Sequence, residues 1–183
     1  MLPLFVAATR GAFDLDADLD TIHGALTRHL AFAHDNIGVR LPGSLDPFEQ
    51  AVRAVIGQQV TLEAARTVAG RIAARYGAAI ETPLEGLTHL FPSAERLAEA
   101  DAGDIAGLGM PRKRGETIVA LARASAEGKL RLARGAVAVG REGLAEIGGV
   151  GPWTLEYVAL RGLGSGAADR LSFADTAAGP APG

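Results

Sequence analysis

An all-α domain is the fold class this sequence predicts, on three observations. Apolar residues recur at helical spacing in several segments, capping residues and Pro/Gly breakers separate those segments, and little of the chain alternates as a strand would. With 183 residues and 48% hydrophobic side chains there is room for one ordinary domain or two small ones, and for a real core. A mean hydropathy of +0.18 excludes a disordered chain.

Residues 1–12 (MLPLFVAATRGA) carry a short apolar run with no preceding basic segment, which makes a poor secretory signal. Residues 18–34 place Leu19, Ile22, Leu26 and Leu30 on one helical stripe, with Asp14 to Asp20 supplying acids at its positive end. The connector IGVRLPGSL is broken by Gly38, Pro42 and Gly43. Asp46 then offers a cap, Pro47 a first helical residue and Glu49 a capping-box partner, ahead of an apolar face of Phe48, Val52, Val55 and Ile56. Past Gly57, Thr61 caps a second helix through Arg75, and Gly77 ends it. Ser93 opens a short helix and Asp101 to Leu108 form another. Pro111 starts a longer one with Ile118, Leu121 and Ala122 as its buried stripe. Leu144 to Ile147 give one turn, and Pro152 opens a last helix to about Leu163. The closing TAAGPAPG suits neither a helix nor a core strand and reads as a frayed tail over 176–183.

Composition excludes several classes. Cysteine is absent, which removes disulfides, thiolate metal sites, cysteine nucleophiles and iron–sulfur clusters, and fits a cytoplasmic protein. No apolar run approaches the roughly 18 residues of a membrane span. His23, His29, His34 and His89 lack metal-ligand spacing, so no metal site is expected. A net charge of −3 predicts no broad attraction to nucleic acid, so any contact must be local. The local candidates are the basic clusters Arg112-Lys113-Arg114 and Lys129, Arg131 and Arg134.

The informative stretch is Leu144 to Gly162, LAEIGGVGPWTLEYVALRG. Ile147-Gly148-Gly149-Val150-Gly151 joins two helices by a tight hairpin. Gly149 and Gly151 permit backbone angles closed to other residues, and Val150 plugs the turn into the core. The amides of Gly149, Gly151 and the following helix start point outward together, a phosphate site that needs no side-chain charge. Trp153 and Tyr157 lie four apart on one helix face. On the residues alone that pair reads more readily as core than as a ligand surface.

This stretch resembles the helix-hairpin-helix motif of DNA glycosylases, and GVGPWTLEYVALRGLG is similar to the bacterial DNA-3-methyladenine glycosylase II (AlkA) family. FDLDAD at 13–18, RLPGSLDPFEQAVRAVIGQQVT at 40–61 and GLGMPRKRGETIVALA at 107–122 follow the family in the same order. The resemblance implies a helical glycosylase domain over residues 13–175 with its helix-hairpin-helix at 144–163, and residues 1–12 as the remnant of, or linker from, a further domain. It implies Asp175 as the catalytic carboxylate, with Asp169 matching an acidic residue six positions earlier. Trp153 and Tyr157 become the base pocket, Gln59 the wedge that fills the gap left by a flipped nucleotide, and Gly149, Val150, Gly151 and Thr154 DNA contacts.

The implied partner is double-stranded DNA containing alkylated bases, bound by a monomer. No cofactor is expected beyond a monovalent cation that hairpin carbonyls hold in related motifs. Strand-cutting relatives place a Schiff-base lysine in the hairpin segment. Here that place is Trp153, and Lys113 and Lys129 are the chain's only lysines, so a monofunctional hydrolase is expected. Two departures from the family qualify this. Gly148 stands where proline is usual, and TAAGPAPG replaces a Leu- and Arg-rich helix, which implies a C-terminally incomplete domain with impaired activity. The alternative is a non-catalytic helix-hairpin-helix fragment that binds DNA.

Overall fold

The computed structural model of the chain describes residues 2–27, 35 and 38–164. Leu30, Asp169, Asp175 and the 176–183 tail therefore lie outside the described residues. The order is α1 (Leu2–Ala12), α2 (Leu19–Leu26), α3 (Pro47–Ile56), α4 (Leu62–Tyr76), α5 (Ala94–Ala98), α6 (Ala102–Ala106), α7 (Arg112–Ala126), α8 (Val137–Ala145) and α9 (Pro152–Val158). A single π-helical turn, Ala159–Leu163, continues α9 and ends at Gly164 in the left-handed region. Among the described residues there is no strand, only an isolated antiparallel bridge between Ala79 and His89. No helix there is long and apolar enough to cross a membrane.

Asp46 and Thr61 cap as the sequence predicts, Ser93 opens its helix, and Asp18 and Asp101 add two further caps. Asp18, Asp46, Thr61, Ser93 and Asp101 each accept a backbone N–H in the first turn of α2, α3, α4, α5 and α6. Glu49 departs from the capping-box expectation. Its carboxylate takes the Arg53 Nε–H at 2.6 Å, one turn along α3, because that charged partner outbids a backbone amide.

α7 is the hub. Ile118, Leu121 and Ala122 are wholly buried, as the stripe predicts, with α5, α6 and α3 packed on them. Val52, Val55 and Ile56 of α3, Ile72 of α4, Leu97 of α5, Ile105 of α6, Leu144 of α8 and Val158 of α9 complete one core. α3 also packs against α9 and the π-helical turn, so the helix entering residues 57–61 is braced directly by the helix leaving the hairpin.

Residues 2–12 form α1, with Leu2, Leu4, Phe5 and Val6 exposed. One segment differs from expectation. Residues 137–145 form a full helix rather than a turn at 144–147. Its Gly140 and Gly143 lie where a Cβ would meet Leu163 Cδ1 at 2.5 Å and Leu130 Cδ1 at 2.8 Å. The glycines serve close helix packing, and burial of Leu144 offsets their helix propensity cost of about 1 kcal/mol each.

Candidate nucleic-acid interface

Three elements meet at one cleft of about 730 Å³: the loop Gly57 to Thr61, the first turn of α7, and the hairpin between α8 and α9. The loop exists because α3 ends at Gly57 and α4 cannot begin before its Thr61 cap. Between them Gln59 takes the left-handed backbone conformation, φ +55°, with its side chain exposed. A non-glycine residue there carries strain of roughly 1 kcal/mol or more, which surrounding contacts must hold.

Those contacts come from α7 and the hairpin. Arg114 Nη2 donates to the Gln58 carbonyl at 2.6 Å and Arg114 Nη1 reaches the Ile56 carbonyl at 3.5 Å. The Gln58 carboxamide donates from Nε2 to the Gly149 carbonyl at 3.1 Å and to Thr154 Oγ1 at 2.9 Å. Thr117 Oγ1 donates to the Gly148 carbonyl at 2.9 Å. The hairpin is thus pinned to both neighbours.

At Gly149 glycine is required. Its φ is +92°, and a Cβ would lie 2.1 Å from Thr117 Oγ1. Gly151 corrects the expectation: its φ is −84°, open to any residue, and nothing lies within 4 Å of a Cβ there. What the two share is an amide that donates to no backbone acceptor among the described residues. Val150 packs against the core as expected and closes its own turn by donating to the Ile147 carbonyl at 3.0 Å. The carbonyls of Ile147, Gly148 and Gly149 each accept a hydrogen bond inside the protein.

The basic triplet at the start of α7 divides. Arg112 pairs with Glu116 at 3.2 Å on its own helix, and Arg114 is spent on the loop carbonyls. Lys113 is exposed, lines the cleft, and has no ion pair among the described residues. Thr154, expected as a DNA contact, is buried and its hydroxyl faces Gln58 at the cleft's floor. Trp153 is 44% exposed at the rim, more than a core tryptophan would be. It stacks on Tyr157 with centroids 5.0 Å apart and planes 11° from parallel. Arg161, one turn on, puts its guanidinium 6.0 Å from the Tyr157 ring centroid. The result is a ladder along α9 with an exposed indole at one end. Among the predicted residues Gln59, Gly149, Gly151, Trp153 and Thr154 line the one cleft. Tyr157 stands behind Trp153, and Asp175 lies outside the described residues. Sequence reasoning missed Gln58 and Thr117, whose only signal was adjacency to Gln59 and a place on the buried side of α7.

The chain is 43% identical over 162 residues to a probable bifunctional transcriptional activator/DNA repair enzyme AlkA of Mycobacterium tuberculosis, covering 86% of this chain and 32% of that protein. It is 41% identical over 151 residues to DNA-3-methyladenine glycosylase 2 of Escherichia coli, covering 82% of this chain and 52% of that one. The chain thus spans about half, or less, of the length of these relatives. The solved 3-methyladenine DNA glycosylase of Archaeoglobus fulgidus superposes with a TM-score of 0.57 at 25% identity, over 78% of this chain and 49% of that one. Residues 52–178 match the model of the HhH-GPD superfamily base excision DNA repair proteins; they include the loop, α7 and the hairpin, and the chain belongs to that superfamily.

Proposed function

We propose that this chain carries, over residues 13–175, the helical domain of a monofunctional DNA glycosylase that releases alkylated bases of the 3-methyladenine type, with its helix-hairpin-helix at 144–163. The observation that carries the reading is convergence: hairpin amides, an outward-thrown Gln59 and an exposed tryptophan share one cleft. Each answers a demand of the chemistry. A base buried in duplex must be extruded, the vacated stack filled, and the base held on aromatic surface. The amides of Gly149 and Gly151 grip backbone phosphate, with Lys113 adding charge. Gln59 enters the vacated stack, flanked by the exposed side chains of Val60 and Leu62, which suit a minor-groove surface. Trp153 backed by Tyr157 receives the base, and an electron-rich ring suits a cationic one.

Cleavage of the N-glycosidic bond sends its electron pair to the departing base, and an alkylated purine, already cationic, leaves as a neutral molecule. Positive charge develops on the sugar, where the Asp175 carboxylate stabilises it and takes the proton of the water that adds to C1′. No lysine stands in the hairpin segment, so the product keeps an intact strand with an abasic site.

The test is base release from methylated duplex DNA, read as alkali-labile sites that appear only after base treatment. Release by the wild-type chain, lost in Asp175→Asn with duplex binding retained, is expected. Release that survives Asp175→Asn overturns the assignment of the acid. Binding without release in the wild type favours the DNA-binding fragment.

A further inference from the structure

We propose that Gln58 is a positioning residue that sets the register between the phosphate-gripping hairpin and the Gln59 wedge, so that grip and base extrusion act as one device. The inference rests on the glycosylase reading above. Its basis is one side chain that belongs to the loop by its backbone and to the hairpin by its carboxamide.

Both amide hydrogens of Gln58 are used, one on the Gly149 carbonyl and one on the Thr154 hydroxyl, 91 and 96 residues away in the chain. Its own carbonyl is held from the opposite side by Arg114. Gln58 is therefore clamped at the backbone by α7 and at the side chain by the hairpin, and the next peptide is forced into the left-handed region at Gln59. A non-glycine residue stays there only when its surroundings over-determine it. The clamp supplies that determination, and it holds Gln59 exposed at the cleft. Thr154 is buried, so the second contact is shielded from competing water. Without the clamp the loop can relax toward ordinary backbone angles, which rotates Gln59 away from the direction the hairpin defines. The hairpin itself keeps its other tie, Thr117 to Gly148, and its amides stay in place. The two functions then separate: phosphate grip persists and wedge insertion fails.

Fluorescence anisotropy with two labelled duplexes tests this, one undamaged and one holding a tetrahydrofuran abasic analogue, whose gap rewards a correctly placed wedge. The variant is Gln58→Met, which keeps the side chain's length and removes its donors. Affinity for undamaged duplex is expected to fall less than about threefold and the preference for the abasic duplex by about tenfold, the size of a lost pair of net hydrogen bonds. Adding Gln59→Ala to Gln58→Met should cost little more, because an unregistered wedge is already lost; in the wild type Gln59→Ala should remove the preference by itself. An unchanged preference in Gln58→Met, an equal loss on both duplexes, or additive effects of the two substitutions overturns the inference. If Gln58→Met fails to fold, Thr154→Val removes the buried acceptor instead, and the same selective loss is required of it. A wild-type chain with no preference for the abasic duplex defeats the glycosylase reading itself, which is a separate outcome.

Discussion

Trp153 shows how far a residue's chemistry can be separated from its burial. An amphipathic helix with Trp and Tyr four apart reads as core, and Tyr157 does pack against it, but the indole stands at the rim, stacked on Tyr157 and with no other ring partner among the described residues. Removing it should therefore cost little stability and much ligand binding. Trp153→Ala is expected to leave the thermal midpoint within a few degrees of the wild type, since no cavity opens in the core. The same variant should lose about 1–3 kcal/mol of affinity for DNA with an unpaired or flipped base, the worth of one base-on-aromatic stack. A large drop in thermal midpoint would show that the ladder is structural. Trp153 is also the chain's single tryptophan, so quenching of intrinsic fluorescence on adding such DNA reads this stack directly.

At the scale of elements, the hairpin's two outer glycines make different demands. Gly149→Ala must both place a Cβ on Thr117 Oγ1 and hold a left-handed backbone, which costs about 1–3 kcal/mol for the backbone alone. It should lower thermal stability before it says anything about DNA. Gly151→Ala meets neither obstacle, so it should fold normally and weaken duplex binding, because only the approach of a phosphate to its amide is hindered. Melting curves and duplex affinity measured on both variants separate the two effects. Full stability of Gly149→Ala contradicts the turn as described.

The cap of α2 carries a pH signature at the same scale. A hydrogen bond from the Thr21 hydroxyl, then one from the Thr21 amide, holds the Asp18 carboxylate below its ordinary range. A group whose folded value is depressed contributes its stability in full above the unfolded value and loses it as pH falls through the folded one. Protection of the Thr21 amide, its exchange measured against the intrinsic rate at each pH, should therefore fall as the medium is acidified below the usual carboxylate range, and Asp18→Asn should remove that dependence. Protection at Thr21 that ignores acidification would mean that Asp18 caps nothing.

Across the whole molecule charge is a local matter. With a net charge of −3 the chain has no general affinity for a polyanion, and at the head of α7 Arg114 is held by loop carbonyls while Arg112 pairs with Glu116 on the helix surface. Neutral amides and Lys113 are left to meet phosphate. Few condensed counterions should be released on binding, so log affinity should fall with log salt at a slope of only a few units. Lys113→Ala should make that slope shallower by about 0.9, the share of one phosphate contact. A slope near that of a strongly basic protein, or one indifferent to Lys113, would place the interface elsewhere.

The helices, their caps, the core stripe of α7 and the hairpin with its family likeness were legible in the residues, because each is a local pattern: a period, a capping side chain, a Gly-Val-Gly turn. α8 was not, since its glycines look like breakers until Leu163 and Leu130 are seen lying on them. Nor were the separate fates of Arg112, Lys113 and Arg114, which are equivalent as charges and differ only in which carbonyl or carboxylate lies within reach. Gln58 and Gln59 are adjacent and chemically identical, yet one turns inward to brace the hairpin and the other outward. No local rule distinguishes them. The choice is made by partners 91 and 96 residues away along the chain, which only the packing of α3, α7 and α9 brings within hydrogen-bond distance.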